Sequence, residues 1–408
     1  MTPIILRSPS EFLTALPYQL GYQPSQSLVA IGLKAGGIAL IERVSTPSPH
    51  VVRACADDLV RPLMRAAPDR VLLIGYEDVR GECLASLRAL SRAVERAGLA
   101  VAEVIVVRNG RRYSPFGHDP GCPPEGIPLL EASQVPAVAA YVARERSPLP
   151  SREALLARVE PSGEAAQVRL GGTQGSSGSV PSTRVLAAWG EVIDPQSGEL
   201  GPERIAELAA DLVTDLPHLA WRDALIAWLA PRMIPVAELN ARIVRLIEGH
   251  LPRTASCGWP MRATESSGPA SGAPRSLALV PPLPAPGREP TGFGPDVEAD
   301  IARRRLLDRL VMLCRALPDD AGHPTAACCS IAASVAWHDG EGTLARAAVD
   351  RAQRVDPDYP LAVLLGGLID HGVRFPTVPV RSHAPTAVPT GRNGGRSVDA
   401  RRYHRGRS

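Results

Sequence analysis

The sequence contains almost no lysine and few aromatic residues. Lys34 is the only lysine among 45 basic residues, and Phe, Trp and Tyr together make up 4% of the chain. This lysine lies in a predicted hairpin, so a P-loop nucleotide site, which needs Gly-x-x-x-x-Gly-Lys-Ser/Thr, is excluded. The scarcity of aromatic residues predicts hydrophobic cores built from Leu, Val and Ala.

Other signatures of catalysis and of membrane insertion are also missing. No Gly-x-Gly-x-x-Gly follows a predicted strand, and neither a Gly-x-Ser-x-Gly elbow nor a His-Glu-x-x-His motif occurs. No uncharged apolar run approaches the roughly 18 residues of a membrane helix, and the N-terminus has no signal-peptide pattern. We expect a cytoplasmic protein without membrane contact or cofactor, and the sequence leaves open whether it is an enzyme.

Seven cysteines, an odd number, occur without a Cys-x-x-Cys pair. Cys55, Cys83 and Cys314 fall on apolar faces of predicted helices, so we expect small buried thiols in a reducing compartment. His118 and Cys122 lie four residues apart in a turn-rich loop, but a zinc site needs three or four ligands. The sequence therefore predicts no metal site, and Cys122 is expected to pack beneath a proline-rich turn.

The stretch LPYQLGYQPSQSLVAIG, residues 16–32, follows a predicted first helix. Ser8 and Glu11 have capping-box spacing at the start of this helix, and we expect it to end near Pro17. The turn motif that follows consists of Gly21, Pro24, Ser25 and Ser27. These residues could present a hydroxyl and backbone amides to a ligand, or they could set the turn into the first strand. No histidine within the stretch could activate a serine, so we favour the structural role.

Strand and helix patterns alternate through the first 160 residues. Apolar runs predict a hairpin of two strands, Ser27 to Leu33 and Ile38 to Val44. Two further buried strands, near residues 70–75 and 101–107, flank a helix from Cys83 to Ala97. Strand–helix–strand order implies parallel strands joined by right-handed crossovers. We therefore predict an α/β domain with a mixed, mostly parallel sheet flanked by helices.

Polar side chains follow the two buried strands where they end. Gly75, Tyr76, Glu77 and Asp78 follow the first strand, and Arg108, Asn109, Arg111 and Arg112 follow the second. Ligands of open α/β sheets bind beyond the carboxyl ends of the strands. Carboxylates and guanidiniums meeting there over a glycine could bind an anionic ligand, or they could form ion pairs worth roughly 0–1 kcal/mol each. We favour the ion pairs.

The C-terminal half is helical in pattern and contains one repeat-like unit. The residues at the spacing of a tetratricopeptide helix pair are Gly340, Ala345, Val349, Ala352 and Pro357. One unit cannot form a solenoid, which needs about three, and an ordinary helical hairpin is the alternative. We predict an all-α C-terminal domain with a tetratricopeptide-like hairpin.

Changes in composition divide the chain into six segments. Gly- and Ser-rich or Pro-rich stretches are expected to be linkers, because they cannot bury enough apolar surface to offset ordering. The predicted segments are an α/β domain 1–160, a flexible linker 161–183, a helical segment 184–250, a disordered insert 251–296, a helical tetratricopeptide-like segment 297–372 and a disordered arginine-rich tail 373–408.

Four stretches of the sequence resemble a known family. They are LPYQLGYQPSQSLVAIGL, RRYSPFGHDPGCPPEGIP, SPLPSREALLARVEP and WHDGEGTLARAAVDRAQRVDPDYPLAVLL. The chain resembles an actinobacterial family of uncharacterised proteins, domain of unknown function 4192, over most of its length outside the linkers and tail. The family has no established activity, so the resemblance implies no catalytic residue or cofactor.

Three hypotheses about function follow. The repeat-like spacing favours a binding or scaffolding protein whose helical groove receives a protein partner. The alternative is an enzyme or a protein that binds a small anionic or nucleotide-like ligand at the carboxyl edge of the sheet. The tail carries eight arginines and one acid, Asp399, so it could also contact nucleic acid weakly through phosphate charge.

Overall fold

We analysed a computed structural model of the chain. It describes residues 8–35, 37–117, 119–162, 181–195, 197–198, 200–231, 233–252 and 295–373. Nearly all of the predicted linker 161–183 and insert 251–296, the tail from residue 374 and His118 lie outside the described residues. No helix within the described ranges has both the length and the apolar composition to cross a membrane.

The described residues form six strands and a larger set of helices. The strands are β1 Ser27–Lys34, β2 Gly37–Ser45, β3 Arg70–Tyr76, β4 Val101–Arg108, β5 Arg111–Tyr113 and β6 Ile127–Pro128. The helices are α1 Pro9–Leu20, α2 Val52–Ala66, α3 Leu84–Arg96, α4 Pro136–Val142, α5 Arg152–Leu156, α6 Thr183–Ile193, α7 Pro202–Thr214, α8 Leu219–Leu229, α9 Ala241–His250, α10 Pro295–Ala316, α11 His323–His338, α12 Gly342–Val355 and α13 Pro360–Asp370.

The six strands form one mixed sheet in the order β2-β1-β3-β4-β5-β6. The predicted hairpin β1–β2 and the parallel pair β3–β4 are both present. The prediction of a mostly parallel sheet is wrong, because β3–β4 is the one parallel pair among these strands. After α2 the chain returns to the sheet beside β1, and β3 pairs with β1 in the antiparallel sense. Strand β3 therefore points in the same direction as β2, but β1 lies between them.

The two faces of the sheet bury different helices, because alternate strand residues point to opposite faces. Leu28, Leu73 and Val104 pack with α2 and α3 in one core cluster. Val29 and Ile74 belong to a second cluster that also contains residues of α1 and of the helices after residue 182. This second core joins the sheet directly to the helical half of the chain. The predicted division near residue 160 stays a prediction.

Helix α1 begins as expected and continues beyond its proline. The Ser8 hydroxyl accepts a hydrogen bond of 3.2 Å from the amide of Glu11. The prediction that the helix ends near Pro17 is wrong, because α1 continues to Leu20. Proline here removes one hydrogen bond in the last turns, while burial of Leu16, Pro17 and Leu20 holds the segment helical.

The helical half has a core with three buried tryptophans, Trp189, Trp221 and Trp228. Helices α11 and α12 form a hairpin through the short turn at residues 339–341, and Ala345 and Val349 are buried between them. The finer assignment to a tetratricopeptide-like unit stays a prediction.

The buried guanidinium of Arg351 ties this hairpin to preceding segments. It donates to the backbone oxygens of Val159, Cys314 and Leu317, and it forms an ion pair with Asp319. One side chain of α12 therefore fixes the end of α10 and the segment that follows α5.

Candidate functional site

A cavity of about 590 Å³ opens at one end of the sheet, where β2 and β3 end and β1 begins. The loop after β2 contributes residues 46–49, and the turn before β1 contributes Ser25 and Gln26. The beginnings of α3 and α5 complete the wall with Glu82, Ser86 and Arg152, among others. Residues from four separate parts of the sequence therefore converge on one concave site.

Strand register brings polar side chains together at the base of this end. Ser27 pairs with Ser45 on β2 and with Tyr76 on β3. Directly opposed residues of antiparallel strands share a face, so these three side chains lie on one face of the sheet. Arg43 lies two residues before Ser45 on the same face, and its Nη1 donates to the Ser45 hydroxyl at 3.1 Å.

Several buried polar atoms at this end have no hydrogen-bond partner within the described part of the chain. They are Nε of Arg43, Oγ1 of Thr46, Oγ of Ser27 and the phenolic oxygen of Tyr76. Arg43 and Thr46 line the cavity, and Ser27 and Tyr76 are adjacent in the strand register. Folded proteins pair most buried polar atoms, so this end of the sheet, next to the cavity, is unusual in grouping several that are unpaired.

The cavity wall carries two guanidiniums, those of Arg43 and Arg152. Neither forms a salt bridge with a carboxylate of the described residues. Burial lowers the pKa of Arg43 and the like charge of Arg152 lowers it further, while Tyr22 and Glu153 act in the opposite direction. The two guanidiniums therefore face the cavity without salt bridges, on a wall that also carries the carboxylates of Glu82 and Glu153.

Tyr22 supports this wall from beneath. Its ring lies 5.9 Å below the Arg43 guanidinium, and it is 1% exposed. Burial raises the pKa of the phenol, whereas the charges of Arg43 and Arg152 lower it. Tyr22 belongs to the core cluster that joins the sheet to the helical half, so the site rests on that shared core.

The turn motif at residues 21–27 positions Tyr22 and two cavity residues. Gly21 ends α1 in the left-handed conformation, with φ of 83°, and its amide donates to Pro17. The backbones of Gly21 and Gln23 exchange hydrogen bonds with Leu149 at 2.9 and 2.8 Å. Pro24 is half-buried in the turn, Ser25 lines the cavity and Ser27 begins β1. The motif thus has contacts that fix the turn and side chains that face the cavity.

The predicted residues at the ends of β3 and β4 are brought together only in part. Glu77 and Arg108 form a buried ion pair with an Nη1–Oε1 distance of 2.5 Å. Asp78 accepts a hydrogen bond of 2.9 Å from Gln26. Asn109 adopts the left-handed conformation in the turn after β4, with φ of 51°.

Gly75 does not provide space for a ligand. A Cβ atom at this position would lie 2.5 Å from the sulfur of Cys83 and 2.9 Å from a methyl carbon of Leu87. The glycine therefore lets α3 approach the sheet closely, which is a packing role.

Arg111 and Arg112 lie on the hairpin of β5 and β6 rather than beside Glu77. Arg111 donates to the backbone oxygens of Glu125 and Gly126 at 2.8 and 2.9 Å. Arg112 pairs with Asp119 at 3.0 Å and donates to Ser10. Because β5 pairs with β4 on the side opposite β3, Arg111 lies opposite Arg108 and Arg112 opposite Val107, which sequence proximity alone did not reveal.

The histidine–cysteine pair of the hairpin loop does not form a described site. The Cys122 sulfur contacts the backbone oxygens of Arg112 and Pro123 at 3.8 Å each, and His118 lies outside the described residues. No group of three or more His, Cys, Asp or Glu side chains that could hold a metal occurs in the described ranges.

A family model described as "Domain of unknown function (DUF4192)" matches residues 9–257 and 299–375. The chain belongs to the DUF4192 family. A search of curated proteins and a search of solved structures gave no match. Every residue of the cavity wall lies inside the matched ranges, whereas most of the predicted insert 251–296 lies between them.

Sequence reasoning missed most of the cavity of this DUF4192 chain. Arg43, Thr46 and Arg152 were not among the predicted site residues, and Ser25, which lines the cavity, was named only in a turn motif for which a structural role was favoured. One signal was present: Arg43 follows Ile41 at the strand period of two, so a charged side chain lies in line with apolar ones on one face. The contribution of α5 could not be found without the fold.

Proposed function

We propose that the protein binds a small anionic molecule in the cavity between Arg43 and Arg152. The observation that carries this proposal is the pair of guanidiniums without salt-bridge partners on a wall with unpartnered buried polar atoms. By comparison, Arg108 and Arg351 are paired with carboxylates inside the fold, and the buried Arg309 donates to three backbone oxygens. Arginine binds carboxylate and phosphate through paired, charge-assisted hydrogen bonds, so an anion is the ligand that fits.

The size and position of the cavity support the same proposal. Small-molecule sites usually measure about 300–1,000 Å³ and combine apolar walls with a few convergent polar groups. This cavity has Pro47, Pro49 and Val52 on its wall beside the polar side chains. It also lies where β3 ends, near the strand edge at which open α/β sheets bind ligands.

Calorimetry and thermal unfolding of the full-length chain test the proposal. A panel of phosphate, sugar phosphates, nucleotides and dicarboxylates is added, and an anion present at about 100 times its Kd should stabilise the protein by about 2.7 kcal/mol. Arg43→Gln and Arg152→Gln should each weaken binding about tenfold or more, because a charge-assisted hydrogen bond is lost. Arg61→Gln removes an exposed surface pair on α2 and is the matched control. Absence of binding, or unchanged affinity in both cavity variants, contradicts the proposal.

A second candidate function is binding of a protein partner by the helical half. Val363 and Leu364 on α13 are 50% and 66% exposed, and adjacent exposed apolar side chains are a feature of interaction surfaces. The test compares full-length protein with the Val363→Ser/Leu364→Ser variant in pull-downs. If wild type and variant retain a partner equally, that partner does not bind at α13.

Two further predictions belong to this proposal. A cytoplasmic location is the first, because buried cysteines such as Cys83 and Cys314 suit a reducing compartment. Nucleic-acid contact through the arginine-rich tail concerns residues outside the described ranges. Such contact should weaken steeply with salt and disappear on truncation after Val373.

A further inference from the structure

We propose, on the basis of the anion site above, that the ligand is a sugar phosphate: a polyhydroxylated molecule with one phosphoryl group. The phosphoryl group would lie at Arg43 and Arg152. The hydroxyl groups would contact the carboxylates and hydroxyls of the remaining wall.

The charges of the wall favour a ligand with a single anionic group. Besides the two guanidiniums, the wall contains the carboxylates of Glu82 and Glu153. Hydrogen bonds from its own backbone amide and from Ser151 lower the pKa of Glu153, so it is ionised at neutral pH. A second anionic group on the ligand would meet these carboxylates, whereas ligand hydroxyls can donate to them.

The neutral polar groups favour a ligand that carries many hydroxyls. The side-chain hydroxyls on the wall belong to Ser25, Ser45, Thr46, Ser48 and Ser86. The unpartnered hydroxyls of Ser27 and Tyr76 lie beside them in the sheet. Each hydroxyl both donates and accepts a hydrogen bond, so the wall matches the alternating donors and acceptors of a sugar.

The same wall lacks what a nucleobase requires. Proteins commonly hold unpaired bases by stacking them on aromatic rings. No aromatic side chain lines the cavity among the described residues. The Tyr22 ring lies beneath Arg43, so the guanidinium covers the ring. The phosphate and ribose of a nucleotide could therefore bind here, but contacts of its base would add little binding free energy.

Titration calorimetry of the full-length protein tests the ligand class. The probes are ribose 5-phosphate, glucose 6-phosphate, inorganic phosphate, ribose, adenosine monophosphate and malate. We expect at least one sugar phosphate to bind about tenfold more tightly than phosphate, which corresponds to about 1.4 kcal/mol. Adenosine monophosphate should bind no more tightly than ribose 5-phosphate, and malate should bind more weakly than either sugar phosphate.

Two variants separate the phosphoryl contacts from the sugar contacts. Glu82→Gln changes an exposed cavity residue and should weaken sugar phosphate binding severalfold without weakening phosphate binding. Arg43→Gln should weaken both. The Ser25→Ala variant removes an exposed hydroxyl of the cavity wall and should again weaken only the sugar phosphate. Circular dichroism and the unfolding midpoint establish that each variant is folded.

The outcomes distinguish this inference from the proposed function. If none of the anions binds, both proposals fail. If phosphate binds as tightly as the sugar phosphates, or if malate or adenosine monophosphate binds more tightly, the anion site stands and the sugar phosphate assignment is overturned. Equal effects of Glu82→Gln on phosphate and on sugar phosphate also overturn the assignment.

Discussion

The carboxylate of Glu77 and the guanidinium of Arg108 form a buried ion pair across the parallel strands β3 and β4. Nη1 of Arg108 lies 2.5 Å from Oε1 of Glu77, whose side chain is 1% exposed. The same carboxylate accepts hydrogen bonds from the amides of Gly81 and Cys83 and from the Cys83 thiol. One acidic side chain therefore ties two strand ends to the start of α3.

Replacing Glu77 should destabilise the protein strongly. In Glu77→Gln the amide side chain cannot neutralise Arg108, and its NH₂ group faces backbone donors. Breaking a buried ion pair by removing one partner costs about 3–5 kcal/mol, and urea unfolding measures this difference. Asp57→Asn, which removes an exposed pair with Arg96, is the control and should cost less than about 1 kcal/mol. Equal losses in the two variants contradict the assignment.

The contribution of Glu77 should depend on pH. Burial raises the pKa of this carboxyl, but hydrogen bonds from Gly81, Cys83 and Arg108 outweigh burial and hold the pKa below its usual value. The stabilisation is therefore present above the unfolded-state pKa of about 4.3 and is lost as the pH falls through the lower folded-state pKa. The free-energy difference between wild type and Glu77→Gln should therefore shrink as the pH falls below about 4.3. A difference that grows on acidification is the opposite of this expectation.

Gly75→Ala should destabilise the protein because its new methyl group meets α3. The Cβ atom would lie 2.5 Å from the Cys83 sulfur, and overpacking of this kind costs about 1–3 kcal/mol. Adding Cys83→Ala should recover part of the loss, so a double-mutant cycle should show coupling of about 0.5 kcal/mol or more. Gly367→Ala on α13 meets no atom within 4 Å and should be neutral or stabilising, by up to about 1 kcal/mol. Strict additivity of the two changes would disprove the contact.

Arg351 and Arg354, on one helix, should differ sharply in their effects on stability. Arg351→Met leaves three backbone oxygens and Asp319 without their buried donor, so we expect a loss of about 3–5 kcal/mol. Arg354 is 50% exposed and pairs with Glu160 at the surface, so Arg354→Met should cost less than about 1 kcal/mol. Denaturant unfolding of both variants checks this, and comparable losses would show that the buried guanidinium has no special structural role.

The elements with simple periodicity could be predicted from the sequence. Strands β3 and β4 and the helix between them were predicted correctly. A short continuous apolar run is typical of a strand that is buried on both faces. The Ser8 cap was predicted from the spacing of side-chain and backbone partners. The pairing of β1 with β3 was not predicted, because the position at which a strand joins the sheet depends on contacts between residues distant in sequence.

The same distinction between local and long-range contacts applies to the candidate site. Glu77 and Arg108 could be predicted as neighbours, because equivalent ends of adjacent parallel strands meet. Arg111 could not be placed, since one tight turn reversed its strand. The cavity was missed because Arg43 and Arg152 are more than a hundred residues apart in sequence, and contacts such as those of residues 21–23 with Leu149 bring their elements together.

The shared core has a consequence for synthesis on the ribosome. The face of the sheet with Val29 and Ile74 is buried in one cluster with residues of α8, α11 and α12. At about 5–20 residues per second, translation reaches those helices roughly 7–60 seconds after β3 has been synthesised. During that interval the apolar residues on this face of the nascent sheet remain exposed to water. Chaperones that recognise exposed apolar surface can therefore bind the growing polypeptide before these helices are made.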